Sequence, residues 1–314
     1  MIAFGAYWFS KASCLLLLLL TFFTRQAPGQ VDLPVEAKQK ELLAKLTGQE
    51  ALPSGSVLLS RWTWQERVQS RKYLQKTFSE IGLDLKEHNY RMPNVHVFQD
   101  FLLGPFRGAN LYGVLPATTT SNEYLLLGAH YDTEKGAPGA NDNASAIALI
   151  YGVVAALISE EKRTKNLLVV FFDQEEEDNV GSRAFIRFLA KQAWDIHSVH
   201  TIDQMGWDAD GDRNIEIELP PDSLRKRYQE AASEMGIEAL VTRVDASDHQ
   251  AFRAACYAAV GITEEFVNED TSPYKDSPAD TFATINFEYL ASTTELTLLV
   301  FQDLLISAKP LEDE

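Results

Sequence analysis

Six acidic or amide side chains in a row, Asp173, Gln174, Glu175, Glu176, Glu177 and Asp178, follow the apolar run Leu167–Phe172. Adjacent glutamates in such a place can divide labour, one carboxylate binding a cation and its neighbour standing beside the water that the cation activates. A solvated acidic turn has the same composition, so the stretch must be weighed with its company. His130-Tyr131-Asp132 follows the apolar segment Tyr124–Ala129. Imidazole nitrogen and carboxylate oxygen are both zinc donors, and Asp132, two residues on in an extended segment, can take the other ring N–H of His130. Asp142 and Asn143 stand in Gly139-Ala140-Asn141-Asp142-Asn143-Ala144-Ser145, directly before an apolar helix pattern. One of the two can cap that helix; a carboxylate there can instead bridge two cations. Asp203 closes a further apolar segment. Four loops that each offer a donor suited to zinc are far more specific than any one of them.

These residues need elements to hold them. Helical spacing covers Val35–Leu46, Gln65–Phe78, Ala144–Ile158, Ser182–Lys191, Ser223–Met235, Asp248–Cys256 and Phe287–Ile306. Strands are expected at Asn94–Phe98, Asn110–Leu115, Tyr124–Ala129, Leu167–Phe172, His197–Ile202, Ala239–Val244 and Ala258–Thr263. Asn214–Leu219 alternates like a half-buried strand. Leu167–Phe172, apolar throughout, reads as buried on both faces, and Ala144–Ile158 as a buried helix. Trp62, Trp64 and Tyr73 read as packing residues. Strands and helices alternate through most of the chain, which predicts one α/β domain: a mostly parallel sheet with helices on both faces, its acidic and histidine-bearing loops meeting at one edge.

Composition bounds the function. The formal net charge of −17 argues against nucleic acid or an anionic membrane surface as partner. It fits a protein that holds cations, and it serves solubility equally. Lys11 precedes the apolar block Ala12–Phe23, too short for a membrane span and right for the core of a signal peptide. Residues 1–29 are therefore expected to direct export to the periplasm or the exterior, with cleavage near Ala27-Pro28-Gly29; an uncleaved membrane anchor is the alternative. Without Cys14 of that segment, Cys256 is the one cysteine and no internal disulfide can form. Asp208 to Asn214 reads as a polar turn, since the spacing of an EF-hand is not met. There is no glycine-rich phosphate loop and no Gly-x-Ser-x-Gly elbow.

Taken in order, GAHYD (128–132), APGANDNASA (137–146), FFDQEEEDNVGS (171–182), IDQMG (202–206) and SPADT (277–281) make the sequence resemble the M28-type zinc aminopeptidases, from about Asn110 to the C-terminus. The resemblance implies a single three-layer, phosphorylase/hydrolase-like domain over 30–314, two zinc ions per chain, and peptide substrates with a free N-terminus. It implies His130 as a ligand of one zinc with Asp132 behind it, Asp142 as the bridging carboxylate and Asp203 as a further ligand. Counting back from Gly181-Ser182 puts Glu175 at the general-base position and Glu176 at a metal-ligand position, leaving Glu177 as a solvated neighbour. The fifth ligand departs from the family: Asp276 stands where a histidine is usual. Aspartate is an acceptable zinc ligand; His249 is the alternative if its loop reaches the site. Tyr274 either lines a substrate pocket or packs. A glutaminyl-cyclase-like enzyme with one zinc and a non-catalytic binding domain of the same fold are the rival readings. Side-chain preference and oligomeric state carry no sequence signal.

Overall fold

The computed structural model describes residues 33–93 and 104–306. Two helices, α1 (Leu33–Leu46) and α2 (Trp64–Glu80), precede strands β1 (Lys86–Met92), β2 (Phe106–Leu115) and β3 (Glu123–His130). An irregular turn, Ala140–Ser145, leads into α3 (Ala146–Ile158), then β4 (Asn166–Phe172), α4 (Val180–Leu189) and β5 (Asp195–Ile202). The chain continues through β6 (Ile215–Glu218), α5 (Asp222–Met235), β7 (Ala239–Thr242), α6 (Ser247–Ala254) and β8 (Ala259–Thr263) to α7 (Phe287–Ile306). The strands form one mixed sheet in the order β1-β2-β4-β3-β5-β8-β6-β7.

The period-two geometry of β4 explains the layers. Leu167, Val169 and Phe171 face a core shared with α1, α2, α3, α5 and α7, while Leu168, Val170 and Phe172 face a second core with α4 and α6. Burying each of these side chains stabilises the fold by about 1.5–3 kcal/mol. The central pairs β3·β4, β3·β5 and β5·β8 are parallel, whereas β1·β2, β2·β4 and β6·β8 are antiparallel. From β3 the chain crosses to β4 on one side and later to β5 on the other, so β3 sits where the winding reverses. In open α/β sheets the crevice at such a point collects the loops that follow strands. Register enforces it: His130 pairs with Phe172, and Gly128 with Thr201, so β3, β4 and β5 finish at one level.

Several expectations change. Strand β1 escapes the apolar-run criterion because it is an edge strand of polar residues; only alternate positions, His88, Tyr90 and Met92, turn inward, with His88 against Phe188 at 4.7 Å. β6 is buried on both faces rather than half-buried, because β7 and β8 flank it and Glu216 and Glu218 point inward. Helix α3 starts at Ala146, and neither Asp142 nor Asn143 caps it. Trp64 is 45% exposed instead of packed, with the Arg71 guanidinium 5.0 Å over its ring. The Ala140–Ile158 stretch is long and apolar enough to cross a membrane, but 83% of it is buried in the core. Residues 1–29 and the expected strand Asn94–Phe98 lie outside the described residues.

Gly181, in the first turn of α4, presses on the end of β4. An added Cβ would meet the Asp173 carbonyl at 2.0 Å and Asn110 Oδ1 at 2.7 Å. Asn110 itself bridges the two elements, accepting from Asp173 N and donating to the Gly181 carbonyl, both at 2.9 Å. Gly181→Ala should therefore lower unfolding stability by about 1–3 kcal/mol; unchanged urea denaturation would show that the helix can shift aside.

A candidate metal centre at the strand ends

His130 is the last residue of β3 and is buried. Its Nε2 lies 3.1 Å from Asp142 Oδ1 and 3.4 Å from Asp203 Oδ1. Asp203 arrives directly after β5, and the turn behind it is held by Gln204 at φ 59°. Asp142 comes from the Ala140–Ser145 turn, where the Asp142–Asn143 peptide is cis. Two things hold that turn. The Asp280 carboxylate accepts the backbone N–H groups of Asn141 and Asp142 at 2.8 and 3.0 Å. Asn143 donates to the Ile202 carbonyl at 2.9 Å and accepts from Gln204 N at 3.2 Å. Asn143 is thus fully buried, which removes it as a glycosylation site despite its Asn-Ala-Ser context.

After β4 the chain leaves the strand through Gln174 at φ 57° and enters α4 through Asp178 and Asn179 at φ 68° and 54°. The intervening Glu175 and Glu176 stand beside β3: Asp132 accepts their backbone N–H groups at 3.1 and 3.4 Å. Asp132 Oδ1 also faces His130 Nδ1, at 3.6 Å.

Three sets of potential donor atoms, each within 4.8 Å of one another, result: His130 with Asp142 and Asp203, Asp142 with Glu176 and Asp276, and His130 with Glu175 and Glu176. Asp142 belongs to two of the sets. All seven residues singled out in the sequence thus meet at one edge, Asp132 as a carboxylate behind the others. His249 does not join them; it is buried with its Nδ1 3.6 Å from Glu218 Oε2. Glu177 is half-buried rather than solvated and stays outside the three sets. Tyr274 packs edge-on against Trp207 at 5.6 Å between ring centres. Asp208, Asp210 and Asp270 form a second acidic group, but Asp270 accepts from the backbone of Ala209 and Asp210, and Asp208 from that of Gly211, as a polar turn requires.

Three participants were not nominated from the sequence. Lys275 places its ammonium 3.8 Å from Asp142 Oδ2. The amide of Gln204 donates to the same oxygen at 3.3 Å. Glu264, at the end of β8, accepts from Asn141 Nδ2 at 2.9 Å. Each reaches the site by chain crossing, although Glu264 could have been found as an acid closing a buried strand. The donor chemistry fits zinc, with one imidazole among carboxylates. Asp142 Oδ1 is buried, makes no hydrogen bond of good geometry and lies 3.1 Å from His130 Nε2, as two ligands of one ion would.

The family model described as Peptidase family M28 matches residues 110–301. No curated protein matches the chain. Among solved structures, BSAP, a zinc aminopeptidase from Bacillus subtilis, aligns over 91% of this chain and 97% of its own, with a TM-score of 0.74 at 12% identity. LapB from Legionella pneumophila aligns over 88% and 73%, with a TM-score of 0.73 at 18% identity. A glutaminyl cyclase from Bacteroides thetaiotaomicron, bound to N-acetylhistamine, aligns over 90% and 100%, with a TM-score of 0.71 at 15% identity. At these identities the likeness establishes a shared fold, a single α/β domain around a mixed sheet.

Crowded acids titrate abnormally. Burial, and next the Asp142 charge, push Glu176 up to about 10. Burial also raises Glu175, with Asp203 and Asp248 adding to it against the opposing pull of His130. Burial alone would lower His130, but Asp203, Glu175 and their neighbours more than reverse it. Glu264 is pushed up to about 8, chiefly by burial. Each of these groups holds a proton in the folded chain that the unfolded chain releases sooner, so its contribution to stability falls as pH rises. The buried His88, His197 and His200, whose pKa values burial lowers, act in the opposite sense below about pH 7. With chelator present, the melting temperature should decline between about pH 7 and pH 9, where only the raised groups still titrate. Zinc, which takes the place of those protons, should flatten the decline. A pH-independent melt in chelator would contradict the assignment.

Proposed function

The chain belongs to peptidase family M28, and from that premise we propose that it is a zinc-dependent aminopeptidase that removes residues from the free N-terminus of peptides. The observation that carries this reading is the sharing of Asp142 between two donor sets. In it, His130, Asp142 and Asp203 hold one zinc, and Asp142, Glu176 and Asp276 hold a second. Bound zinc would supply the Lewis acidity that polarises a scissile carbonyl and makes water a nucleophile near neutral pH.

The protein's own groups do the rest. Glu175, which lies within the donor set of His130, is suited to take a proton from water and return it to the leaving amine. Asp132 holds the backbone of both glutamates and so keeps the base and the ligand in register. The acidic mouth attracts a substrate ammonium. Export through residues 1–29 belongs to the same proposal, with retention as an anchor being the one route to a membrane.

A single-zinc enzyme of glutaminyl-cyclase type has one observation in its favour. The histidine expected at the fifth ligand is an exposed aspartate, and the ammonium of its neighbour Lys275 lies 3.8 Å from Asp142 Oδ2. Metal stoichiometry separates the two readings.

Glu175→Gln should reduce turnover of aminoacyl-anilides by about 10²–10⁴-fold while leaving bound zinc unchanged. Turnover within a few fold of the parent would remove Glu175 from the role of base. Asp276→Ala should weaken one of two zinc sites by about tenfold or more, read by metal analysis after dialysis; unaltered stoichiometry and affinity would assign the fifth ligand elsewhere.

A further inference from the structure

Arg61 lies in the connection between α1 and α2, outside the span matched to the family, and is fully buried. A guanidinium in a protein interior normally pairs with a carboxylate, because burying an uncompensated charge is costly. Among the described residues Arg61 makes no ion pair; it donates to four backbone carbonyls. Nε reaches the Tyr131 oxygen at 2.7 Å, Nη2 the Gly139 oxygen at 2.9 Å, and Nη1 the oxygens of Pro138 at 2.7 Å and Leu46 at 2.9 Å. Its own backbone N–H donates to Thr133 Oγ1 at 3.0 Å.

Those acceptors are not scattered. Tyr131 lies between His130 and Asp132, while Pro138 and Gly139 lead into the turn that carries Asp142. One planar, forked side chain therefore ties both stems of the loop that separates His130 from Asp142. Gly139 shows how tightly. It sits at φ 65°, and a Cβ there would lie 2.7 Å from Arg61 Nη2 and 2.4 Å from the Asp142 carbonyl. The fourth acceptor, Leu46, ends α1, so the same group anchors the loop to the N-terminal helices. Burial lowers its pKa to about 10, and the nearby Asp280, Asp132, Asp142 and Glu176 charges only partly offset that by favouring the charged form.

We infer that Arg61 is a positioning residue of the metal centre, fixing the separation of His130 and Asp142 through the carbonyls of the loop between them. The inference rests on the zinc reading above. It makes the N-terminal helical layer part of the site, although no metal donor comes from that layer.

Arg163 provides a matched control. It is also buried and donates to the carbonyls of Leu157 and Glu160, at 2.9 and 2.7 Å, in the connection after α3 that lies at the other end of β4. Full-length parent, Arg61→Met, Arg61→Lys and Arg163→Met would be titrated with zinc against a chromophoric chelator, and each would be melted in the metal-free state. Arg61→Met should bind zinc at least about tenfold more weakly, with Arg61→Lys in between. Arg163→Met should melt lower yet bind zinc within about twofold of the parent. Arg61→Met matching the parent in affinity, or Arg163→Met losing as much affinity as Arg61→Met, would overturn the inference. If Arg61→Met does not fold, Arg61→Lys decides alone: about threefold or greater loss supports positioning, and parental affinity overturns it. Failure of the parent to bind zinc would instead overturn the functional reading.

Discussion

Like charges brought within a few ångströms repel, and this molecule gathers five carboxylates around one imidazole. Nothing in the acids themselves favours that arrangement, so the scaffold has to impose it. It does so with backbone N–H groups and rigid strand ends. Asp132 is held by the amides of Glu175 and Glu176, and Asp280 holds the amides of Asn141 and Asp142. Each supporting carboxylate is thus engaged by donors that cannot move without unwinding a loop. A divalent cation is what such a cluster is built to receive, because it neutralises the repulsion that the fold otherwise sustains.

The sheet supplies the rigidity. β3, β4 and β5 are parallel, adjacent and buried, and their shared register makes them end together. Their side chains fill two cores, so a shift of one strand would disturb both helical layers. Behind the site, Asp173 is held by Arg67 at 2.8 Å and by Ala109 N at 2.9 Å, which fixes the exit from β4 before the chain reaches the glutamates. Burial nevertheless dominates its proton affinity and pushes it up to about 6. Charge is therefore layered: ligand-type acids face the mouth, and arginines brace the strand ends beneath them.

Much of this was legible in the residues. The apolar runs before His130, Asp173 and Asp203 announced buried strands, and the acids at their ends announced the site edge. Periodicity placed α7 at its observed limits and α1 to within two residues. What escaped was polar or non-local. β1 carries its inward face on His88 and Tyr90, which no hydrophobic criterion selects. Trp64, apolar by composition, sits outside because it opens α2 on the solvent side and covers Arg71. His249 satisfied the donor chemistry of a fifth ligand, but α6 directs it toward Glu218.

The sequence alone determined the chemistry available and the strands that would carry it, since residue type and periodicity are local properties. It could nominate Asp142, Glu176 and Asp203 as donors at one sheet edge, and Asp276 through the family resemblance, but not give the distances among their oxygens. Those were decided by tertiary structure, because residues up to 146 positions apart, from His130 to Asp276, meet only once the parallel crossovers close. The same holds for the supports. Asp280 and Gln204 lie within the SPADT and IDQMG motifs, and Lys275 and Arg61 in segments without distinctive pattern, yet the roles of all four arise from distances that only the folded chain defines.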